Sequence, residues 1–323
     1  MDVSIVIPTK NGGAVLDKVL SAIEKQRTSF SYEIICVDSG SNDDTIRIIN
    51  SHNCKLFCIE PEDFGHGKTR NLGAFKGTGE FIVFLTQDAV PATNEWLQNF
   101  ISAMKSNDEI VGGFGRHIPY DGCNIFDARD IKLMFEGFGS DNTIYYMEDK
   151  NRYLHEEGYR HLLAFFSDNN SCVRRTVFEK YPYADVDFSE DQIWAKQMIE
   201  LGYKKLYCPF APVYHSHNYP LRTYFKRYFD EYKGLYEVHN YIISKNLLSA
   251  IYLAYRLFLS DVKYVRTQAL SKREKIKWMW YSLVRNNYRC IGGYLGGTYH
   301  SRSKNVQKFL DKHFSQQYKQ VKG

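Results

Sequence analysis

The sequence predicts an open α/β sheet with parallel strands joined by helices. Val3 to Ile7, Glu33 to Val37 (EIICV) and Phe81 to Leu85 (FIVFL) are apolar throughout rather than alternating, the pattern of strands buried on both faces. Segments with apolar residues at helical spacing separate these runs. Each run also gives way at once to a polar loop, as strand ends in such sheets do.

In chain order, Ala14 to Gln26 carries Val15, Leu16, Val19, Leu20 and Ile23 at helical spacing, and Asp44 to Ser51 repeats that pattern after the second strand. Beyond about residue 110 the pattern is less regular. Ser167 to Arg175 (SDNNSCVRR) reads as a polar loop entering a strand. Ser189 to Leu201 (SEDQIWAKQMIEL) reads as a helix, with Ser189 as its cap, acids in the first turn and Gly202 as its stop. Tyr207 to Tyr214 is extended and runs into His215-Ser216-His217. From Leu221 the chain reads as helices, opening with Tyr224, Tyr228, Tyr232 and Tyr236 in an i, i+4 row. Further on, Gly292, Gly293, Gly296 and Gly297 permit close helix packing.

The 323 residues suffice for one large domain with an appended module. With 44% apolar, 24% charged and 15% aromatic residues, the composition excludes disordered, collagen-like and low-complexity classes. The net charge of +5 hides an asymmetry: residues 1 to 218 carry 22 Lys+Arg against 31 Asp+Glu, and residues 219 to 323 carry 20 against 6. A basic, aromatic-rich C-terminal region on an acidic domain points to an anionic surface, either phospholipid head groups or nucleic acid. Solvated helix faces are the plainer explanation of the same charge. Seven dispersed cysteines without a C-x-x-C pair predict free thiols in a reducing cytosol. The N-terminus has no signal-peptide pattern. Ile242 to Leu259, interrupted by Lys245 and Arg256, falls short of the roughly 20 apolar residues that span a bilayer.

Ligands of open α/β sheets bind beyond the C-terminal ends of the strands. Here those ends carry Pro8-Thr9-Lys10-Asn11-Gly12-Gly13, Asp38-Ser39-Gly40-Ser41-Asn42 and Thr86-Gln87-Asp88-Ala89. Neither G-x-G-x-x-G nor a P-loop follows the first strand, so dinucleotide and P-loop chemistry are disfavoured. Asp38, an acid at the end of a buried strand, needs a partner; a nucleoside base or ribose suits it, and helix capping falls more naturally to Ser41, Asp43 or Asp44. Asp88 suits a hard divalent cation that also takes phosphate oxygens. His215 or His217 could supply a second ligand, or both could be surface or packed histidines. Phe64 to Ala74 (FGHGKTRNLGA) sets glycines beside Lys68 and Arg70, which fits either a diphosphate site or a cation-capped turn. Glu190-Asp191 at a helix N-terminus is the best general-base pair, although acids are common there.

In their order and spacing, VSIVIPTKN, VDSGSNDDT, the Arg70 segment, TQDA, SED and the histidine-bearing segment resemble the family 2 inverting glycosyltransferases of the GT-A fold, over residues 3 to about 217. Within that family, FGHGKTRNLGA, TQDA and VYHSHNY look like bacterial rhamnosyltransferases of O-antigen and capsule synthesis. The resemblance implies a GT-A, Rossmann-like mixed sheet flanked by helices. It implies a catalytic domain over 1–218, split into a nucleotide-sugar half (1–110) and an acceptor half (111–218), followed by a basic helical region over 219–323.

It further implies a dTDP-rhamnose donor contacted by Pro8, Thr9, Asn11, Asp38, Arg70, Gln87 and Asp88. Mg²⁺ or Mn²⁺ would sit on Asp88 and His215, with His217 as the alternative, and Asp191, beside Glu190, would be the base. Gln87 stands where many relatives have Asp, which leaves the metal less strongly held. The implied acceptor is a lipid-linked oligosaccharide or polysaccharide, reached by a cytoplasmic protein peripheral to the inner face of the bacterial plasma membrane. Aromatic and basic residues interleaved in Lys272 to Tyr281 (KREKIKWMWY) suit that surface, and a helical cap or a dimer interface is the other use for them. The competing functions are a UDP-sugar-dependent transferase of the same family and, in another class, a nucleic-acid-binding protein using the basic region, for which no recognised motif is present. A nucleotidyltransferase would need a basic glycine-rich loop after the first strand, faintly hinted at by Lys10 to Gly13.

Overall fold

The computed structural model describes residues 1–186 and 188–316. The chain forms two compact units, one of Met1–Val186 with Glu190–Ser216, the other of residues 188–189 with 217–316. In the first, the elements run β1 (Val3–Thr9), α1 (Gly13–Glu24), β2 (Tyr32–Asp38), α2 (Thr45–Ser51), β3 (Cys54–Cys58), α3 (His66–Lys76), β4 (Phe81–Leu85), β5 (Val90–Pro91) and α4 (Trp96–Lys105). Then come β6 (Ile110–Ile118), α5 (Ile125–Glu136), β7 (Thr143–Tyr145), α6 (Lys150–His155), α7 (Glu157–Ala164), β8 (Asn170–Arg174), α8 (Arg175–Phe178), α9 (Glu190–Glu200) and β9 (Lys204–Tyr214).

The strands form one sheet ordered β3-β2-β1-β4-β8-β6-β9-β5, with β7 on β9. Strands β3, β2, β1 and β4 are parallel; the apolar runs predict β1, β2 and β4, while β3, an edge strand with no buried residue, is not read from the sequence. From there the sheet is mixed, because β8 enters antiparallel between β4 and β6. Alternation explains why these runs are apolar throughout. Val3, Ile5 and Ile7 pack on the α1 residues Leu16, Val19, Leu20 and Ile23 on one face, while Val6 joins Ile35, Val37 and Ala74 on the other. Helix α3 lies close on that second face because Gly73 has no Cβ; one there would meet Val6 Cγ1 at 2.3 Å.

The second unit is helical: α10 (Leu221–His239), α11 (Leu247–Thr267), α12 (Lys272–Gly297) and α13 (Lys304–Phe314). The glycines near the end of α12 do permit close packing. A Cβ on Gly292 would meet Phe225 O at 2.5 Å and one on Gly296 would meet Phe229 O at 2.2 Å, so α12 rides on the backbone of α10. The tyrosine row faces cations of α12: Arg289 lies 4.8 Å over Tyr228 and Arg285 5.5 Å over Tyr224. Among the described residues, no helix is long and apolar enough to cross a membrane.

Candidate active site

Strand register places Thr9 beside Asp38, each the last residue of its strand. Asp38 is fully buried, and its carboxylate has four partners. Oδ1 accepts the main-chain N–H of Gly40 (3.0 Å) and Ser41 (2.8 Å), while Oδ2 accepts Thr9 Oγ1 (3.0 Å) and Ser41 Oγ (2.5 Å). A buried acid needs this degree of satisfaction, and here it fixes the turn after β2. The two loops are laced further. Asn11, at φ +49°, donates its N–H to Ser41 Oγ and accepts Asn42 N–H on Oδ1. Lys10 Nζ donates to the carbonyls of Ser39 (2.7 Å) and Gly40 (2.8 Å).

Gln87 closes the third side of this edge with a two-point clasp. Its Oε1 accepts Lys10 N–H at 2.9 Å and its Nε2 donates to Lys10 O at 3.0 Å. Next along the chain, Asp88 Oδ1 lies 3.6 Å from His215 Nε2. A carboxylate and an imidazole that close can share one divalent cation, and both are donors such ions take. The main-chain N–H of His215 donates to Ile118 O at 2.9 Å, and its ring centre lies 5.2 Å from that of buried His117. Burial, with His215 beside it, pushes the His117 imidazole well below its usual range. His217, two residues on, begins the second unit, where its ring lies 4.9 Å from that of Tyr219.

The acidic pair at the start of α9 joins a second cluster. Glu190, 5% exposed, accepts Arg70 Nη1 at 2.8 Å. The Arg70 guanidinium is buried too, donates to His66 O, and places Nε 3.3 Å from Asp168 Oδ2. Asp168 holds Tyr183 Oη (2.6 Å) and Ser171 Oγ (2.8 Å) on Oδ1. Its own main-chain N–H donates to Asp191 Oδ2 at 3.1 Å. Asp191 is the half-buried member. Burial, then the negative neighbours Asp168 and Glu190, push its carboxyl well above the usual range, against the pull of the Asp168 N–H and Arg70. Burial likewise raises Asp168 to about 6, despite the opposing Arg70. Two carboxylates thus pair with one arginine, and the third, half-buried beside them, is poised to hold a proton at higher pH than an ordinary aspartate.

The structure therefore gathers Thr9, Asn11, Asp38 and Gln87 at the edge beyond β1 and β2, pairs Asp88 with His215, and groups Arg70 with Glu190 and Asp191. Pro8 is in β1, paired in register with Val37. Of two readings, the first is narrowed and the second corrected. In FGHGKTRNLGA, Gly67 lies against Ala184 O and Gly73 against Val6, so these two serve packing, while a Cβ on Gly65 would make only ordinary contacts; Lys68 pairs with Asp185 at 3.1 Å, and Arg70 is paired with Glu190 and Asp168. Ser189 is no cap, since it sits at φ +62° with its hydroxyl buried and unpartnered. Asp168, Tyr183, His117 and the Lys10 clasp escape sequence reasoning; only the polar SDNN run offered a signal, and it singles out no residue.

Residues 4–182 match the family model "Glycosyl transferase family 2". The chain is 32% identical over 274 residues to the O-antigen chain rhamnosyltransferase RfbN of Salmonella typhimurium, covering 83% of each chain. It is equally similar to WbaN of Salmonella anatum, an O-antigen chain rhamnosyltransferase, over 82% of each. Among solved structures, S. aureus TarS 1-349 in complex with UDP-GlcNAc superposes with a TM-score of 0.55 at 14% identity, over 97% of this chain and 79% of that one. The mannosyltransferase PcManGT from Pyrobaculum calidifontis, in complex with GDP-Man and Mn²⁺, gives 0.52 at 16% identity, over 98% and 81%. These two likenesses show the GT-A fold. The ordered motifs, the sheet that carries them and the match along most of the chain agree: the protein is a glycosyltransferase and belongs to glycosyl transferase family 2.

Proposed function

We propose that the protein transfers L-rhamnose from dTDP-β-L-rhamnose, with inversion, to a hydroxyl of a lipid-linked or polysaccharide acceptor on the cytoplasmic side of the bacterial plasma membrane. The observation that carries this reading is Asp191: a half-buried carboxyl at the start of α9, raised above its usual range and held by the Asp168 N–H. Similarity to two O-antigen chain rhamnosyltransferases over most of their length supports rhamnose as the sugar.

In this mechanism residues 1–110 carry the donor and 111–218 the acceptor side. Thr9, Asn11 and the loop fixed by Asp38 shape the nucleoside pocket, and the Gln87 clasp keeps Lys10 in place beside it. Asp191 takes the acceptor hydroxyl proton as that oxygen bonds to the anomeric carbon, while the bond from that carbon to the diphosphate breaks and dTDP leaves. Attack opposite the leaving group converts a β-linked donor into an α-linked product. Arg70 fixes Glu190 and Asp168, and through them the environment of Asp191. Asp88 and His215, with His217 as the other candidate, would hold a Mg²⁺ or Mn²⁺ ion, whose charge would offset that of the departing diphosphate.

The test is a transfer reaction with the purified chain, dTDP-rhamnose, a divalent ion and lipid-linked oligosaccharide extracted from bacterial membranes. The expected product gains one deoxyhexose in α linkage. Transfer only from a UDP-sugar, or a β-linked product, would refute the reading.

A further inference from the structure

Helix α11 is built for two different surroundings. Ala250 and Ala254 pack with Cys290 of α12. The helix's single acid, Asp261, is 2% exposed and accepts Ser282 Oγ at 2.6 Å and Asn286 Nδ2 at 2.8 Å. The opposite side exposes Leu247, Leu248, Ile251, Tyr252, Tyr255 and Leu259, with Leu248 at 80% and Tyr252 at 60%. At 100° and 1.5 Å per residue these six fall within an arc of about 140° and a length of about 18 Å. With Asp261 turned inward, the only charges on the exposed side are cations: Arg256, Lys263 and Arg266. Arg256 Nη1 donates to Tyr252 Oη at 3.1 Å, setting a guanidinium at the rim of the apolar arc. The start of α12 continues the pattern, with exposed Ile276 and Trp280 among Lys272, Arg273 and Lys277, and Lys275 Nζ ties it to α11 at Arg266 O.

We propose that this face of α11, extended by the first turns of α12, docks on an anionic phospholipid bilayer. The inference deepens the reading of a membrane-side acceptor, on which it rests, by naming the surface that touches lipid. An apolar arc bearing tyrosines and bordered on α11 only by cations, with the one acid of the α12 start, Glu274, engaged by the Ser271 cap, matches an acyl boundary beneath anionic head groups. The helix lies in that interface rather than crossing it, since its 21 residues are not apolar enough to span. A second copy of the chain is a poorer occupant, because a two-fold contact would bring the same cationic rim onto itself.

The experiment is flotation of the full chain with phosphatidylcholine vesicles, with and without phosphatidylglycerol, at low and high salt, for the wild type, Leu248→Ser/Tyr252→Ser and Arg256→Gln/Lys263→Gln. Calorimetric dTDP binding and circular dichroism on each variant report the donor site and the fold. The wild type is expected to float with phosphatidylglycerol vesicles and to be released by salt. Both variants are expected to lose about ten-fold or more in partitioning, with dTDP binding unchanged. A wild type that stays with the unbound fraction while binding dTDP would overturn this face alone, whereas one that also fails to bind dTDP would overturn the proposed function as well. Variants that float as well as the wild type would overturn this face alone. Self-association abolished by Leu248→Ser/Tyr252→Ser, without flotation, would assign the face to a second copy instead.

Discussion

The main-chain N–H of Asp168 donates to Asp191 Oδ2 at 3.1 Å, while the carboxylate of Asp168 lies 3.3 Å from Arg70 Nε. The acid proposed as base is therefore held by the backbone of a residue whose own charge is held by the arginine. The link ties the loop before β8 to the start of α9, and it opposes the burial and the negative neighbours Asp168 and Glu190 that raise the proton affinity of Asp191.

A general base works only when deprotonated, so activity is lost as the pH falls through the raised value of Asp191. The acid limb of kcat/KM should lie well above the ordinary aspartate range. Glu190→Gln removes a neighbouring negative charge and should move that limb to lower pH. Asp191→Asn should cut transfer by about 10²- to 10⁴-fold while calorimetry finds donor binding intact. Weak donor binding by a folded Asp191→Asn protein would count against its role as base.

Arg70 neutralises two buried carboxylates, Glu190 and Asp168. Arg70→Met leaves both without a cation and should cost about 3–5 kcal/mol of stability, read from urea unfolding. A loss under about 1 kcal/mol, the range of an exposed ion pair, would show that the cluster relaxes or takes up water.

Gln87 donates to one atom of Lys10 and accepts from another, which a carboxylate cannot do. Gln87→Glu loses the bond to Lys10 O and should lower stability by about 1 kcal/mol, with weaker dTDP binding as the Lys10 loop loosens. Unchanged unfolding and nucleotide affinity would mean the clasp is dispensable.

Gly296 lies on the backbone of α10. Gly296→Ala must part the two helices and should cost about 1–3 kcal/mol. Gly158→Ala, in α7 with nothing within 4 Å of the new methyl, should be neutral or stabilising by up to about 1 kcal/mol. Thermal unfolding of the two variants checks the contrast.

Strands β1, β2 and β4 were legible because strands buried on both faces must be apolar throughout, and their loops were legible because polar residues follow each strand at once; β3 was not, since Cys54–Cys58 lies at the sheet edge with no buried residue. The antiparallel entry of β8 was not, since Asn170 to Arg174 is short and begins in a polar run whose pairing depends on residues far along the chain. Asp191 stood out through its place at a helix start. Asp168 did not, because what distinguishes it, burial against Arg70 and a bond to Asp191, arises only when three distant segments meet. The glycines of residues 64–74 were ambiguous for a related reason: composition cannot tell an open glycine such as Gly65 from one that admits a carbonyl, as Gly67 does, or a valine, as Gly73 does. Gln87 reads as a donor contact standing where many relatives have Asp; its bonds to Lys10 need the loop after β1 in view.

The central claim, a dTDP-sugar donor bound at the edge beyond β1 and β2, is tested most directly by calorimetric titration of dTDP, UDP and GDP into the purified chain, each with and without Mg²⁺ or Mn²⁺. The account predicts that dTDP binds tightest and that a divalent ion strengthens its binding. Tighter binding of UDP or GDP, or binding of none of the three, would contradict it.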